Sequence, residues 1–306
     1  MRTREQEVEP FVNLSEITEV ELRLLKRMRE FTIGEHASLF HGAGFDFVGL
    51  REWEAGDRFE HIDWAQSSLT NFSPFIVRDF EQPSTSGVVI VADRSASTRC
   101  GMDGVPIAVT IARAIATIGM SAVFFQDSVG LVVFGDGFGG FEGLRPRVGK
   151  GQVVHCLDAY QHGTGLQPVR AADSFSGTIA GFMRKTSLVP VVSDFLVEDP
   201  APIMKELSDL DSLHDVVVVM VDAAFAYELP AVSAGWIDAF DVETGRSRIV
   251  SRREATRLAT RASEWQDEVA AVARRHDLEV LRLGLDQTRF DIAFLEWVAE
   301  RRLRRK

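Results

Sequence analysis

Cysteine is scarce in this sequence: only Cys100 and Cys156 occur among the 306 residues, and they lie far apart. A disulfide framework or a cysteine-based metal site requires several cysteines at short, regular spacings. The scarcity therefore excludes both classes. It is typical of a protein of the reducing cytosol, so we expect a cytoplasmic location.

Long hydrophobic runs are also missing. The first ten residues are charged and have no apolar centre, unlike a secretory signal peptide. No later run approaches the roughly 20 apolar residues that cross a bilayer. The longest apolar runs have the length of strands. We therefore expect no membrane span.

Positive charge is in deficit, because 34 lysines and arginines face 45 aspartates and glutamates, which gives a net charge of −11. Such a chain repels nucleic acid and anionic membranes. The basic cluster at residues 301–306 is typical of a solvated helix end. We expect no nucleic-acid partner.

Familiar catalytic motifs are absent from the sequence. It contains no G-x-S-x-G elbow and no Walker A loop, and the five glycines within residues 135–143 lack the lysine and hydroxyl of a phosphate loop. These glycines predict a turn or a mobile loop. His155 and Cys156 are adjacent, so on a helix they point in different directions and make a poor nucleophile–base pair.

Strand and helix patterns alternate from residue 87 onward. The strand patterns are short, apolar and rich in β-branched residues, and they cover residues 88–92, 129–134, 188–192, 216–221 and 278–283. The first helical pattern of this region begins at Pro106. Later helical patterns cover 151–160, 175–183, 203–213, 253–276 and 290–303, and a hairpin signature lies at 236–251. This alternation predicts an α/β fold with a doubly wound, mainly parallel sheet and helices on both faces.

The first 86 residues have a different pattern. Residues 17–31 predict an amphipathic helix that begins at a capping box formed by Thr18 and Glu21. Loops and short antiparallel strands are predicted to follow. We therefore divide the chain into an N-terminal extension of helix and strands, residues 1–86, packed on a main domain of residues 87–306.

Oxygen-bearing side chains follow two of the predicted core strands. Asp93, Ser95 and Ser97 alternate after the first strand, Asp194 follows a later one, and Thr164 lies in a glycine-flanked loop between them. Ligands collect at the carboxyl ends of strands in open α/β sheets, and ligands that are all oxygen suit Mg²⁺. We expect the three hydroxyls to bind the ion directly and the two carboxylates partly through water. In the alternative interpretation, Asp93 caps a helix and the serines satisfy loop amides.

This set of five residues resembles the metal-ion-dependent adhesion site of von Willebrand factor A domains, written Asp-x-Ser-x-Ser, then Thr, then Asp. The resemblance covers residues 87–222 and implies a von Willebrand A-like (Rossmann-like) fold. A Mg²⁺ ion held in this way keeps a coordination position open to solvent. An acidic side chain of a partner could fill that position.

A longer series of motifs resembles the domain-of-unknown-function-58 family over nearly the whole chain. The motifs are Gly49-Leu50-Arg51-Glu52, Gly56-Asp57, Ile62-Asp63-Trp64, the segment 93–97, and residues 127–131 and 241–245. After Trp64 the family shows small residues ending in arginine, whereas this chain has Gln66-Ser67-Ser68-Leu69. The resemblance implies a partnership with a MoxR-type AAA+ ATPase. We predict a non-enzymatic, Mg²⁺-dependent protein-binding module that acts as an adaptor in the assembly or remodelling of protein complexes.

Three alternatives stay open. A Mg²⁺-dependent phosphohydrolase of the haloacid dehalogenase type would use Asp93 as nucleophile, but Ser95 stands where its general acid would be. A purely structural subunit would bind no metal. Asp57, His61 and Asp63 could form a second metal cluster, although we favour a structural role for that segment, with Trp64 packed on the core.

Overall fold

The structure is a computed structural model that describes residues 11–33, 46–53, 62–69, 71–81, 87–102, 105–223, 236–240, 247–284 and 297. Contacts divide the chain into two compact units. The larger unit combines Met1–Leu25 with Ser86–Lys306, and the smaller unit is Lys26–Thr85. The prediction that residues 1–86 pack on the main domain stays a prediction.

Helix α1 (Leu14–Ile33) is the first element of the chain. It begins after Asn13, whose side-chain Oδ1 accepts the Glu16 N–H at 2.9 Å. Thr18 lies inside the helix, where its hydroxyl donates to the Leu14 carbonyl at 2.9 Å. The predicted capping box was therefore wrong, because an earlier residue with a good acceptor already caps the helix.

In its described part, the smaller unit contains two antiparallel strands and a short helix, besides the last residues of α1. These are β1 (Asp46–Glu52), α2 (Trp64–Leu69) and β2 (Ile76–Glu81), with Arg51 opposite Val77. Asp63 caps α2, since its Oδ1 accepts the N–H groups of Ala65 and Gln66 at 3.1 Å. Trp64 is 57% exposed, so the expectation that it packs on the core was wrong.

In chain order, the other strands of the described residues are β3 (Gly87–Asp93), β4 (Gly101–Met102), β5 (Val105–Pro106), β6 (Ser128–Gly135), β7 (Gly139–Arg147), β8 (Gln167–Pro168), β9 (Ser187–Ser193), β10 (Asp215–Val221), β11 (Trp236–Phe240), β12 (Ser247–Ser251) and β13 (Glu279–Leu283). Seven of them form the large sheet, in the order β13-β10-β9-β3-β6-β7-β8. The five strands from β13 to β6 are parallel, whereas β7 and β8 are antiparallel to their neighbours. Outside this sheet, β4 pairs with β5 and β11 pairs with β12.

Helices cover both faces of the large sheet. They are α3 (Ile107–Phe124), α4 (Lys150–His162), α5 (Phe175–Phe182), α6 (Pro200–Asp211) and α7 (Arg252–Arg275). Helices α5, α6 and α7 share one buried apolar core with Val89 and Val91 of β3, while α3 packs against α4 and β3. Alternate residues of a strand point to opposite faces, so β3 is buried on both sides. The predicted fold class is confirmed: this is an α/β fold, consistent with a von Willebrand A-like arrangement.

The glycine-rich segment forms a turn, which is one of the two structures that the sequence predicted. It forms a short 3-10 turn (Asp136–Phe138) and then enters β7. Phe138 stacks on Phe134 with ring centroids 4.7 Å apart, which anchors the turn to the core. Gly137 and Gly140 have φ values of 65°, which glycine adopts without strain. Of the two predicted alternatives, the turn is therefore confirmed, and the packed aromatic residues between the glycines disfavour the mobile loop.

Helix α3 is the one helix, within the described part of the chain, that is long and apolar enough to cross a membrane. Of the 18 residues of this helix, 78% are buried inside the protein. That burial is expected of the core helix of an α/β fold. The predicted helix at 290–303 lies outside the described residues, apart from Trp297, which is helical and buried.

Candidate metal centre

Asp93 is the last residue of β3 and is 4% exposed. Its Oδ1 accepts the Ser95 N–H at 2.8 Å, and its Oδ2 accepts the Ser193 hydroxyl at 2.5 Å. The buried Tyr160 hydroxyl donates to the Asp93 backbone carbonyl at 2.8 Å. The carboxylate is therefore held in one orientation at the carboxyl edge of the sheet.

Ser95 and Ser97 follow in the tight segment after β3, where the 3-10 turn Ala96–Arg99 begins. Their hydroxyl oxygens lie 3.0 Å apart, and both residues are half-buried. Neither hydroxyl accepts a backbone N–H of the residues that the structure describes. The alternative interpretation thus holds only for Asp93, whose carboxylate caps the Ser95 amide.

Asp194 follows the neighbouring strand β9 and is 1% exposed. Its Oδ1 accepts the Leu196 N–H at 3.0 Å, whereas its buried Oδ2 has no hydrogen-bond partner. Burial, and after it the charge of Asp93, raise the pKa of Asp194 to about 6, while the Leu196 amide and the Ser97 hydroxyl oppose the shift. The two carboxylates and the Ser97 hydroxyl therefore share one site.

Thr164 lies in the turn after α4 and is exposed. The preceding residue, Gly163, has φ 74° and lies beside the Arg94 side chain, since a Cβ built there would be 3.6 Å from Nη1. No hydrogen bond joins Thr164 to the other four predicted ligands among the contacts of the described residues. The structure thus brings Asp93, Ser95, Ser97 and Asp194 together, and a ligand role for Thr164 stays a prediction.

The donor set fits a hard divalent cation. Two carboxylates and two hydroxyls offer only oxygen, which is the preference of Mg²⁺. A buried carboxylate oxygen without a partner is costly, and a second carboxylate nearby adds repulsion. A bound cation would relieve both costs. The orphaned Oδ2 of Asp194 is therefore the observation that best matches a metal.

The second predicted cluster has little support. Asp63 is engaged in capping α2, and Asp57 and His61 lie outside the described residues. Within the described part of the chain, no group of three or more His, Cys, Asp or Glu residues could hold a metal ion.

Three supporting residues were not predicted from the sequence. Ser193 orients Asp93, Tyr160 fixes the end of β3, and Gln266 of α7 donates from Nε2 to the Asp194 carbonyl at 2.9 Å. Ser193 could have been predicted, because it directly precedes Asp194 at the end of a strand. Tyr160 and Gln266 lie on helices that are distant in sequence, and no local pattern marks them.

The fold and the donor set define an α/β protein with a candidate hard-cation site at the carboxyl edge of its sheet. The chain belongs to the family described as protein of unknown function DUF58, whose model matches residues 49–270. No protein with a curated description matches the sequence.

Several solved structures are similar at low identity. The conserved hypothetical protein BatB from Bacteroides thetaiotaomicron is 12% identical, with a TM-score of 0.39 over 70% of this chain and 98% of that one. An aerotolerance-related membrane protein from Bacteroides fragilis is 13% identical, with a TM-score of 0.41 over 71% and 99%. The pilus adhesin SpaC from Lactobacillus rhamnosus is 10% identical, with a TM-score of 0.40 over 74% and 31%. These likenesses carry no argument about function.

Proposed function

We propose that the protein is a non-enzymatic, Mg²⁺-dependent protein-binding module of the cytoplasm. The observation that supports this most directly is the buried, unpartnered Oδ2 of Asp194 beside the Asp93 carboxylate and the paired hydroxyls of Ser95 and Ser97. When bound, Mg²⁺ would offer a coordination position to an acidic side chain of a partner.

Each residue has a distinct role in this proposal. Ser95 and Ser97 supply neutral oxygens directly, and Thr164 is proposed as a third. Asp93 and Asp194 supply negative charge, partly through water. Asp93 can do so while keeping its two observed hydrogen bonds, because a carboxylate has about four lone-pair positions.

The partner we propose is a MoxR-type AAA+ ATPase, for which the protein would act as an adaptor in assembly or remodelling. Membership of the DUF58 family supports this choice, since the family is associated with such ATPases. A metal-bridged contact has a further consequence: occupancy of the site would control partner binding.

The metal is tested by titrating MgCl₂ into metal-free protein, with calorimetry and thermal unfolding as readouts. We expect wild type to bind and to gain stability, and Asp93→Ala and Asp194→Ala to do neither. Asp158→Asn is the matched control, because Asp158 is an exposed carboxylate on α4 outside the site. Mg²⁺ binding that survives in both site variants would overturn the proposal.

The partner is tested by capture of a purified MoxR-type ATPase on immobilised protein. Chelation is unsuitable here because AAA+ ATPases themselves use Mg²⁺ with nucleotide. Asp93→Ala is compared with Asp158→Asn instead. We expect capture to be lost only in Asp93→Ala.

The haloacid dehalogenase alternative is tested on the same samples with para-nitrophenyl phosphate and MgCl₂. Ser95 cannot serve as a general acid comparable to a carboxyl group. We therefore expect no turnover. Turnover that Asp93→Asn abolishes would establish the enzyme instead of the binding module.

A further inference from the structure

A groove of about 980 Å³ lies along the end of β7, between residues of α4, α5 and the segment that follows α4. Its charged and titratable lining residues are Arg145, Arg147, Arg170, Asp173 and His155. We call this feature the arginine groove. It contains none of the five predicted metal ligands.

The charge of the groove is opposite to that of the whole chain. Three arginines face one aspartate there, whereas the chain carries a net charge of −11. Arg147 and Arg170 are exposed, and neither makes an ion pair or a side-chain hydrogen bond with any residue that the structure describes. These two guanidinium groups are therefore available to an anionic ligand.

Arg145 is held in place by its surroundings. Its Nη1 donates to the Phe182 carbonyl at 2.6 Å, and its guanidinium carbon lies 4.5 Å from the centroid of the Phe182 ring. The buried Gln152 donates to the Arg145 carbonyl at 3.1 Å. A cation that is fixed before binding loses less conformational entropy when a ligand arrives.

The groove also lies beside an incompletely paired strand. Strand β8 pairs only with Glu142 and Gly143, so residues 144–147 of β7 have no strand on their outer side within the described sheet. Open sheet edges accept extended peptides through main-chain hydrogen bonds. Pro146 has no N–H, and the Arg145 carbonyl already accepts from Gln152, so the edge by itself would be a weak site.

We propose that the arginine groove binds a short, extended, acidic segment of a protein partner, with its carboxylates paired to Arg147 and Arg170. Arginine and carboxylate groups match in bidentate geometry. A peptide of a few residues would contact only the groove. A long polyanion such as nucleic acid would also meet the negative charge of the rest of the molecule.

The test uses a fluorescein-labelled octapeptide that alternates glutamate and valine, with fluorescence anisotropy as the readout. We expect binding to wild type that weakens by about tenfold when salt rises from low to high concentration. Arg147→Glu combined with Arg170→Glu should weaken binding by at least about tenfold, since it removes two charge-assisted pairs and adds repulsion. Arg257→Glu, an exposed reversal on α7, is the matched control and should bind as wild type does.

Two further probes test whether the edge of β7 contributes to binding and whether the metal centre takes part. The same peptide with N-methylated backbone amides should bind more weakly if the edge of β7 contributes. All titrations contain EDTA, so that no glutamate can bind through Mg²⁺ at the metal centre. Under this condition wild type and Asp93→Ala should bind equally, which separates this proposal from the metal centre. Equal affinity of wild type and the double reversal, or of the peptide and oligo-dT, would overturn it, and so would the absence of binding to wild type.

Discussion

The Ser193 hydroxyl donates a hydrogen bond to Oδ2 of Asp93 at 2.5 Å, across 100 residues of sequence. The bond joins the carboxyl ends of two neighbouring parallel strands, because Ala92 pairs with Val192 one residue earlier. The same hydroxyl accepts the Phe195 N–H at 2.9 Å. One serine thus positions the first predicted ligand and the backbone just after Asp194.

Replacing Ser193 should therefore damage the site as well as the fold. Ser193→Ala leaves the Phe195 amide and one Asp93 oxygen without their partner in a buried place, which we expect to cost about 1–3 kcal/mol of unfolding free energy. Mg²⁺ affinity should fall as well, since Asp93 loses its fixed orientation.

Ser187→Ala is the control for that variant. Ser187 lies at the other end of the same strand, is also buried, and donates to the Lys185 carbonyl at 2.9 Å. It should lose stability without losing metal affinity. Denaturant unfolding and calorimetry measure the two effects separately, and equal metal affinity in Ser193→Ala and wild type would contradict the positioning role.

The pKa of Asp194 predicts how stability depends on pH. Burial raises this pKa from 3.8 in the unfolded chain to about 6 in the folded protein. Between these values the folded state keeps a proton that the unfolded chain has released. Metal-free stability should thus fall as pH rises from about 4 to about 6, by on the order of 3 kcal/mol, and stay low above that range.

The stabilisation by Mg²⁺ should increase as pH rises, whereas metal-free stability decreases, because Mg²⁺ binds the ionised carboxylate. We expect it to stabilise the protein at about pH 8 and to have little effect at about pH 5, where Asp194 is protonated. Asp194→Asn removes the titrating group, so its stability should vary less over this range. Thermal unfolding measured at a series of pH values, with and without MgCl₂, tests both statements. A wild-type profile identical to that of Asp194→Asn would refute them.

The sequence allowed the strands and most of the site to be predicted, because both rest on local patterns. Asp93 and Asp194 each follow a run of β-branched residues, and the carboxyl ends of parallel strands meet at one edge. A ligand role for Thr164 was harder to predict, since a glycine-flanked turn does not fix the direction of a side chain. The start of α1 was misplaced because both Asn13 and Thr18 are good caps, and the choice between them depends on packing.

Other features could not be predicted because they depend on contacts between distant segments. Tyr160 reaches the end of β3 from α4, and Gln266 reaches the end of β9 from α7. Nothing in the local sequence distinguishes these residues from ordinary helix positions. The aromatic anchoring of Phe138 likewise requires the core to be assembled.

The two cysteines should differ in reactivity. Cys156 is fully buried in α4, and burial raises the pKa of its thiol to about 12. Cys100 is half-buried. Because the thiolate is the reactive form, we expect a thiol reagent to modify Cys100 in the folded protein and Cys156 only after unfolding. Mass spectrometry of the labelled protein, with Cys100→Ser as the control, tests this, and rapid labelling of native Cys156 would contradict it.

Gln266 on α7 should be sensitive to substitution. It is 3% exposed, and its Nε2 donates to the Val221 carbonyl at 2.7 Å as well as to the Asp194 carbonyl, while its Oε1 accepts the Ala223 N–H at 3.3 Å. Gln266→Met keeps the size of the side chain but leaves these buried backbone groups unpaired, so we expect a loss of about 2–4 kcal/mol. Glu264→Met, an exposed position two residues earlier on the same helix, should change stability by less than about 0.5 kcal/mol. Denaturant unfolding of both variants decides the matter. Equal losses of stability in the two variants would show that the hydrogen bonds of Gln266 do not hold the ends of β9 and β10. The backbone at Asp194 would then be held by other contacts.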